Sequence, residues 1–331
     1  MQKNYGIALV GLGSYAEHQL AKALEQTKKC HLAGIVTGSP AKAGKWKKMY
    51  NIPDKNIYNY DTFDQIVDNN DIDIIYVVLP NSMHHEYVLR AAKAGKHIIC
   101  EKPMAITVKE GEEMIDACKR AGVKLSIGYR LHFEPFNMEA ARVGQQEKFG
   151  KVKFIETSFG FKAGDPAQWR LKKAYAGGGA MMDIGIYAIQ AARYITGEEP
   201  IAVTAQEFKT DPIKFKDVDE TIFWQMEFPG GAVSNSTTSY ASDVERLFLS
   251  AENGWLELHP AYSYGPLAGK THKGPLDLPF VNQQAMQLDD FATCLAENRE
   301  SSVNGEEGLK DMKVIEAIYK SIHESGKRVT V

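Results

Sequence analysis

The chain has 331 residues, 44% of them hydrophobic and 24% charged, with a formal net charge of −3, a composition ordinary for a globular protein large enough for two domains with their own cores. The near-neutral balance, with no basic run interleaved with aromatics, gives no electrostatic footprint for nucleic acid, and no stretch approaches the ~20 apolar residues that cross a bilayer. Cys30, Cys100, Cys118 and Cys294 are scattered without C-x-x-C spacing, which indicates neither a metal site nor a disulfide framework.

The apolar run Tyr5-Gly6-Ile7-Ala8-Leu9-Val10 reads as a buried strand, and Gly11-Leu12-Gly13-Ser14-Tyr15-Ala16 follows it directly. Glu17 to Gln26 then has helical composition. A strand, G-x-G-x-x-A and a helix in that order form a dinucleotide-binding context: Gly11 permits the tight turn, Gly13 lets backbone approach a pyrophosphate, and Ala16 lets helix pack on strand. The helix amides would face the phosphates with the positive end of the dipole. Met1 to Asn4 runs straight into this strand, so no signal peptide is expected and the reducing cytoplasm is the expected compartment.

The second strand, His31 to Val36, ends in Thr37-Gly38-Ser39, where an NAD enzyme carries an acid for the ribose 2′-hydroxyl. No Asp or Glu lies between Glu25 and Asp54, whereas Ser39 and Lys42 stand on the loop and first turn. Hydroxyls and an ammonium suit a 2′-phosphate, which predicts NADP(H); Lys47 and Lys48 read as a solvated helix face. Further strands are predicted at Asp73 to Leu79, His97 to Cys100 and Lys124 to Gly128. Helices are predicted at Ser82 to Ala94 and from the capping box at Thr107 to about Ala121. Strands alternating with helices predict a parallel, Rossmann-type sheet over 1–128.

From about Lys151 the texture changes. Lys153 to Phe161, Thr221 to Phe228, Ala232 to Tyr240, Arg246 to Ala251 and Trp255 to Leu258 are β-like, with hairpin signals at Pro229-Gly230-Gly231 and Asn253-Gly254. Helices are predicted near Ala180 to Ile195, Asn282 to Glu297 and Glu306 to Glu324. Residues 129–331 are thus expected to form an α+β domain with a large open, mostly antiparallel sheet, its C-terminal helix able to pack back on the first domain. A sheet with helices on one face must cover the other, so a homodimer or homotetramer through Glu220 to Ser239 is expected.

Ligands of an open α/β sheet lie beyond the carboxyl ends of its strands. Leu79-Pro80-Asn81-Ser82-Met83-His84, Cys100-Glu101-Lys102-Pro103 and Gly128-Tyr129-Arg130 fall there. Lys102 is either part of an ordinary turn with a solvated ion pair or a rigidly held cation able to hydrogen-bond a substrate oxygen and lower a neighbour's pKa. In Gly177-Gly178-Gly179-Ala180-Met181-Met182-Asp183-Ile184-Gly185-Ile186-Tyr187, a glycine-rich turn leads into a helix with Asp183 and Tyr187 at i, i+4. Tyr187 is either a core residue with a satisfied hydroxyl or a proton carrier for carbonyl–alcohol chemistry.

Together these segments resemble the glucose–fructose oxidoreductase/inositol dehydrogenase family, written Gfo/Idh/MocA. The resemblance spans essentially the whole chain, and E-K-P followed some eighty residues later by G-G-G-x-x-x-D-x-G is its most specific part. Tyr187 stands where most of the family has histidine, as in the glucose–fructose oxidoreductase branch. The resemblance implies that Gly11, Gly13, Tyr15 and Ala16 hold the dinucleotide, with Thr37, Ser39 and Lys42 at the 2′-phosphate. Leu79, Pro80, Asn81 and His84 would lie along ribose and phosphate, Glu101 and Lys102 near the nicotinamide ribose, and Arg130, Trp169 and Arg170 on the cofactor side. Lys102, Asp183 and Tyr187 would form the catalytic group, with Tyr187 as acid–base. The implied activity is NADP(H)-dependent oxidation of an aldose at C1 to its lactone, or its reverse, including aldose–ketose transhydrogenation. Other readings are an inositol, amino-sugar or anhydro-sugar dehydrogenase or reductase, and a non-catalytic NADP-binding redox sensor. The chain shows neither the export signal nor the long N-terminal arm of periplasmic members, which favours a cytoplasmic enzyme and leaves cofactor retention open.

Overall fold

Six parallel strands, β1 Tyr5–Val10, β2 Cys30–Val36, β3 Ile57–Tyr58, β4 Ile74–Val77, β5 His97–Cys100 and β6 Leu125–Ile127, form one sheet in the order β3-β2-β1-β4-β5-β6. The computed structural model describes residues 3–331. This sheet belongs to a unit comprising the chain to Ala105, Lys109–Arg130 and Asn282–Leu309. β1 is buried at every position and pairs with β2 and β4, as expected of an apolar strand flanked on both sides. The strand order reverses between β1 and β4, and that switch point is where such sheets take ligands.

Helix α1 opens at Ala16–Leu20 with π-type winding and continues as α-helix over Ala21–Leu24. α2 spans Pro40–Tyr50, with Ser39 as N-cap accepting from the Lys42 amide and Pro40 in the first turn. α3 is His84–Lys93 and α4 Val108–Ala121. The helix Gln283–Ala296 puts Leu288, Phe291 and Ala292 into the core that also contains Ile7, Leu9, Leu20 and Trp46.

The second unit, chiefly Leu131–Val281 and Lys310–Val331, contains α5 Pro135–Gln145, β7 Val152–Gly160, α6 Lys173–Ala176, and α7 Ile186–Thr196 preceded by a π-type stretch at Met181–Gly185. Its sheet adds β8 Ala202–Phe208, β9 Thr221–Glu227, β10 Val233–Ser239, β11 Val244–Ala251, β12 Gly254–Leu258, β13 Gly269–Thr271, β14 Gly274–Pro275 and β15 Val329–Thr330. The nine strands run in the order β14-β13-β12-β11-β7-β10-β9-β8-β15. All neighbours are antiparallel except β7 and β10, which pair in parallel at its centre. The predicted hairpins at Pro229–Gly231 and Asn253–Gly254 join β9 to β10 and β11 to β12. Alternation along β9 buries Ile222, Trp224 and Met226 and exposes Phe223 and Gln225. Phe154, Phe223, Val233, Phe248 and Trp255 fall on the same outward register.

Candidate active site

At the switch point of the first unit, the chain turns at Gly11 with φ +97°. A Cβ there would sit 2.5 Å from the Val78 carbonyl oxygen and 2.8 Å from Leu79 Cδ2, so only glycine turns here. Gly13 is the opposite case: a Cβ would meet nothing within 4 Å. The protein's own packing therefore does not require a glycine at 13, and the open backbone beside α1 fits a pyrophosphate. Lys42 reaches back from α2 and donates from Nζ to the Leu12 carbonyl at 2.8 Å, placing an ammonium against the glycine turn. Thr37 is buried and its hydroxyl accepts from the Ser39 amide at 3.2 Å. Lys47 pairs with Asp54 on the exposed surface.

The loops after β4 and β5 are tied together by His84. Its ring is fully buried, with Nδ1 2.9 Å from the Pro103 carbonyl and Nε2 2.9 Å from that of Leu79. Burial lowers its pKa below the ordinary histidine value. Glu101 is buried and accepts from the Tyr76 hydroxyl at 2.6 Å. Burial raises the Glu101 pKa, opposed by that hydrogen bond and by the Lys102 and Arg130 charges. Lys102 follows, half-buried, at a cis bond to Pro103. Asn81 is buried beside Pro80, Tyr15 is half-buried on the glycine turn, and buried Arg130 donates to the Gln283 side chain.

In the second unit the triple glycine is packed tightly against protein. A Cβ on Gly178 would lie 2.1 Å from the Tyr319 hydroxyl, and one on Gly179 2.0 Å from the Asp219 carbonyl oxygen. Buried Asp219 organises the turn, accepting from the Gly179 amide at 2.6 Å, the Met181 amide at 2.8 Å and the Tyr319 hydroxyl at 2.7 Å. The π-type stretch that follows carries Asp183, whose side chain is 18% exposed, and α7 carries buried Tyr187. Single wide turns of this kind recur at functional sites.

Asp183 Oδ2 takes the Tyr240 hydroxyl at 2.8 Å and Arg170 Nε at 3.2 Å. The Arg170 guanidinium also stacks 4.6 Å over Trp169, and the Asp183 charge raises its pKa. Tyr187 meets Phe159 edge-on at 5.6 Å and Tyr262 at 6.4 Å. It also lines a cavity of about 300 Å³ between α5 and α7, with His132, Gln190, Tyr194 and Leu247. A carboxylate, a phenol and a cation beside aromatic faces can hydrogen-bond a polyol, stack on its C–H surface and move a proton.

Residues 5–129 match the family described as "Oxidoreductase family, NAD-binding Rossmann fold". Residues 138–257 match the GFO/IDH/MocA C-terminal domain, and 264–331 the oxidoreductase family's C-terminal alpha/beta domain. The chain belongs to the GFO/IDH/MocA oxidoreductase family. Among family members, it is similar to D-xylose 1-dehydrogenase [NADP(+)] of Haloarcula marismortui, with 29% identity over 95% of this chain and 90% of that one. Levoglucosan dehydrogenase of Pseudarthrobacter phenanthrenivorans is 34% identical over 66% of this chain and 61% of its own. The crystal structure of aldose-aldose oxidoreductase from Caulobacter crescentus complexed with glycerol superposes with a TM-score of 0.97, at 44% identity over 99% of this chain and 100% of that one. The protein is accordingly an oxidoreductase, with the Rossmann unit and the α+β, mostly antiparallel sheet unit that the sequence predicts.

Against that family frame, the structure brings Gly11, Gly13, Tyr15, Ala16 and Lys42 to one turn, and Leu79, Pro80, Asn81, His84, Glu101 and Lys102 to the neighbouring loops. The resemblance assigns Arg170 to the cofactor side; its observed partner is Asp183. His84 has both ring nitrogens on backbone carbonyls, so its influence on a bound dinucleotide runs through the loops it joins. Sequence reasoning passed over Tyr76, Asp219, Tyr240 and Tyr262. Asp219 sits in the acidic run Asp217-Val218-Asp219-Glu220, which reads as surface, yet Asp219 and Glu220 are both buried.

Proposed function

We propose that the chain transfers hydride between NADP(H) and C1 of an aldose, in the oxidising direction forming the lactone. The observation that carries the reading is the pairing of an acid-free Thr37-Gly38-Ser39 loop, with Lys42 laid on the glycine turn, and an Asp183–Tyr187 pair flanked by aromatic rings. The names of two relatives, an NADP(+) xylose 1-dehydrogenase and an aldose-aldose oxidoreductase, support it. The cofactor is NADP(H): Thr37, Ser39 and Lys42 would hold the 2′-phosphate, the Gly11–Ala16 turn the pyrophosphate, and Leu79, Pro80, Asn81, Glu101, Arg130 and Trp169 the rest, with His84 acting through the loops it joins. When bound, NADP(H) would supply the hydride chemistry. Tyr187 Oη takes the proton from the C1 hydroxyl as it becomes a carbonyl and returns it in reverse. The Lys102 ammonium hydrogen-bonds the reacting oxygen. Asp183, held ionised by Arg170 and Tyr240, accepts from a sugar hydroxyl and orients the ring.

The test is a panel of aldoses, ketoses, inositols and anhydro-sugars, each with NADP and NAD, followed by nicotinamide absorbance. Aldose turnover with NADP is the expected result; turnover confined to inositols would overturn the substrate class. Levoglucosan dehydrogenase among the relatives makes an anhydro-sugar the second reading.

Assembly is part of the same proposal. The outward register carrying Phe154, Phe223, Val233, Phe248 and Trp255 leaves Phe223 47% and Val233 44% exposed. We assign this face to a second copy of the chain, forming a dimer or a dimer of dimers. A monomer by light scattering at micromolar concentration would refute the assignment.

A further inference from the structure

We propose that Tyr240 is a positioning residue that fixes the Asp183 carboxylate, and that the β8–β9 connection controls Asp183 through it. The proposal rests on the reading of Asp183 as part of the catalytic group.

Tyr240 follows β10 and is buried. Its ring lies between Phe161 at 5.2 Å and Phe215 at 6.4 Å, the latter stacked at 25°. Its amide donates to the Glu220 carbonyl at 2.8 Å, and its carbonyl accepts from the Ala163 amide at 2.9 Å. Ring and backbone are thus held, and the hydroxyl reaches Asp183 Oδ2 at 2.8 Å.

Both Phe215 and Glu220 come from the connection between β8 and β9. That segment is stapled by Glu220, which accepts from the Thr210 amide, the Thr210 hydroxyl and the Asp211 amide at 2.6–2.9 Å. It supplies Asp219 as well, whose carboxylate holds the Gly179 and Met181 amides just ahead of Asp183. One connection therefore sets the backbone leading to Asp183 through Asp219, and its carboxylate through Phe215 and Tyr240.

The chemistry follows from the donors. A hydroxyl and a guanidinium on one carboxylate oxygen both favour the ionised form and fix the rotamer. Asp183 is then a fixed acceptor that orients a sugar hydroxyl, leaving the proton to Tyr187. Deleting the Tyr240 hydroxyl relaxes the carboxylate and makes its protonation easier, so the acidic limb of kcat/KM moves to higher pH.

The experiment compares Tyr240→Phe with the unmodified protein on the best aldose of the panel. The expected result is a roughly ten- to hundredfold lower kcat, unchanged NADPH affinity, and an acidic limb about one pH unit higher. Wild-type kcat with an unmoved limb in a folded Tyr240→Phe protein overturns the proposal, since a purely structural hydroxyl would alter only the melting temperature. Phe215→Leu serves if Tyr240→Phe does not fold: the same limb must move in the same direction, and an unmoved limb overturns the proposal. Asp183→Asn separates the two levels. If it is inactive while Tyr240→Phe behaves as wild type, only the positioning role fails; if it keeps full turnover, the catalytic reading of Asp183 fails and the proposal with it.

Discussion

Two glycine-rich turns lead into two helices that both begin with π-type winding, Gly11–Ala16 ahead of α1 and Gly177–Gly179 ahead of Asp183. In sequence they are the same signal. In space they are opposites, because Gly13 borders nothing within 4 Å while Gly178 and Gly179 would drive a Cβ into Tyr319 and Asp219. In the proposed reading the first turn keeps a place for a ligand, whereas the second is closed on the protein itself. Glycine serves close approach in both, and only the partner differs: in that reading a pyrophosphate at Gly13, and the Tyr319 hydroxyl and Asp219 backbone at Gly178 and Gly179.

The contrast is sharpest at Tyr187. If the second turn aims chemistry rather than holding cofactor, Tyr187→Phe lowers kcat by about 10²–10⁴ while NADPH affinity, measured by fluorescence titration, stays put. A near-normal kcat would transfer the proton to Lys102 or Asp183. The glycines themselves come next. Gly179→Ala forces a Cβ onto backbone and should cost roughly 1–3 kcal/mol or more, seen as a lower Tm. Gly13→Ala should leave the Tm of the cofactor-free protein within about 0.5 kcal/mol equivalent yet weaken NADPH binding; equal loss of stability at both sites would erase the distinction.

Lys42→Ala touches only the first turn. It removes a charge-assisted hydrogen bond, should weaken NADPH by roughly 1.5–3 kcal/mol and should narrow the preference over NADH. Equal wild-type affinity for the two cofactors would contradict that assignment. The smallest effect concerns pH. Burial, with the nearby Arg193 charge, holds His132 down to about 3, against 6.5 for the free imidazole. The unfolded chain therefore takes up this proton first, and stability falls as pH drops from about 6.5 toward 3. His132→Gln should flatten that slope in a Tm-against-pH series.

Much of this was legible from residue order. β1, the Gly11 turn, the acid-free end of β2 and the hairpins at Pro229–Gly231 and Asn253–Gly254 are local patterns, and local patterns survive folding. Ala202–Phe208 escaped because Ala202, Ala205, Gln206 and Glu207 dilute its Val203, Thr204 and Phe208; its pairing with β9 and β15 makes it a strand. Asp219 and Tyr240 escaped for another reason. Their partners lie 40 and 57 residues away, and no periodicity connects an acidic run to a distant glycine turn. The same holds for Arg170, placed by resemblance with the cofactor and found on Asp183. Residue type named the candidates for chemistry in the second unit, while the contacts that hold Asp183 are set by tertiary packing.

The parallel pairing of β7 with β10 carries a consequence for biosynthesis. Thr157 and Ser236 share a hydrogen bond across 79 residues of chain, and β7's other neighbour, β11, is translated later still. The central strand of the sheet thus leaves the ribosome with neither of its flanking strands yet made. At about 5–20 residues per second that interval lasts several seconds. During it, Ile155 and the bare backbone of β7 are available to any other extended segment nearby. Slow, chaperone-sensitive maturation of the second unit is the expected outcome of putting its earliest strand in the middle.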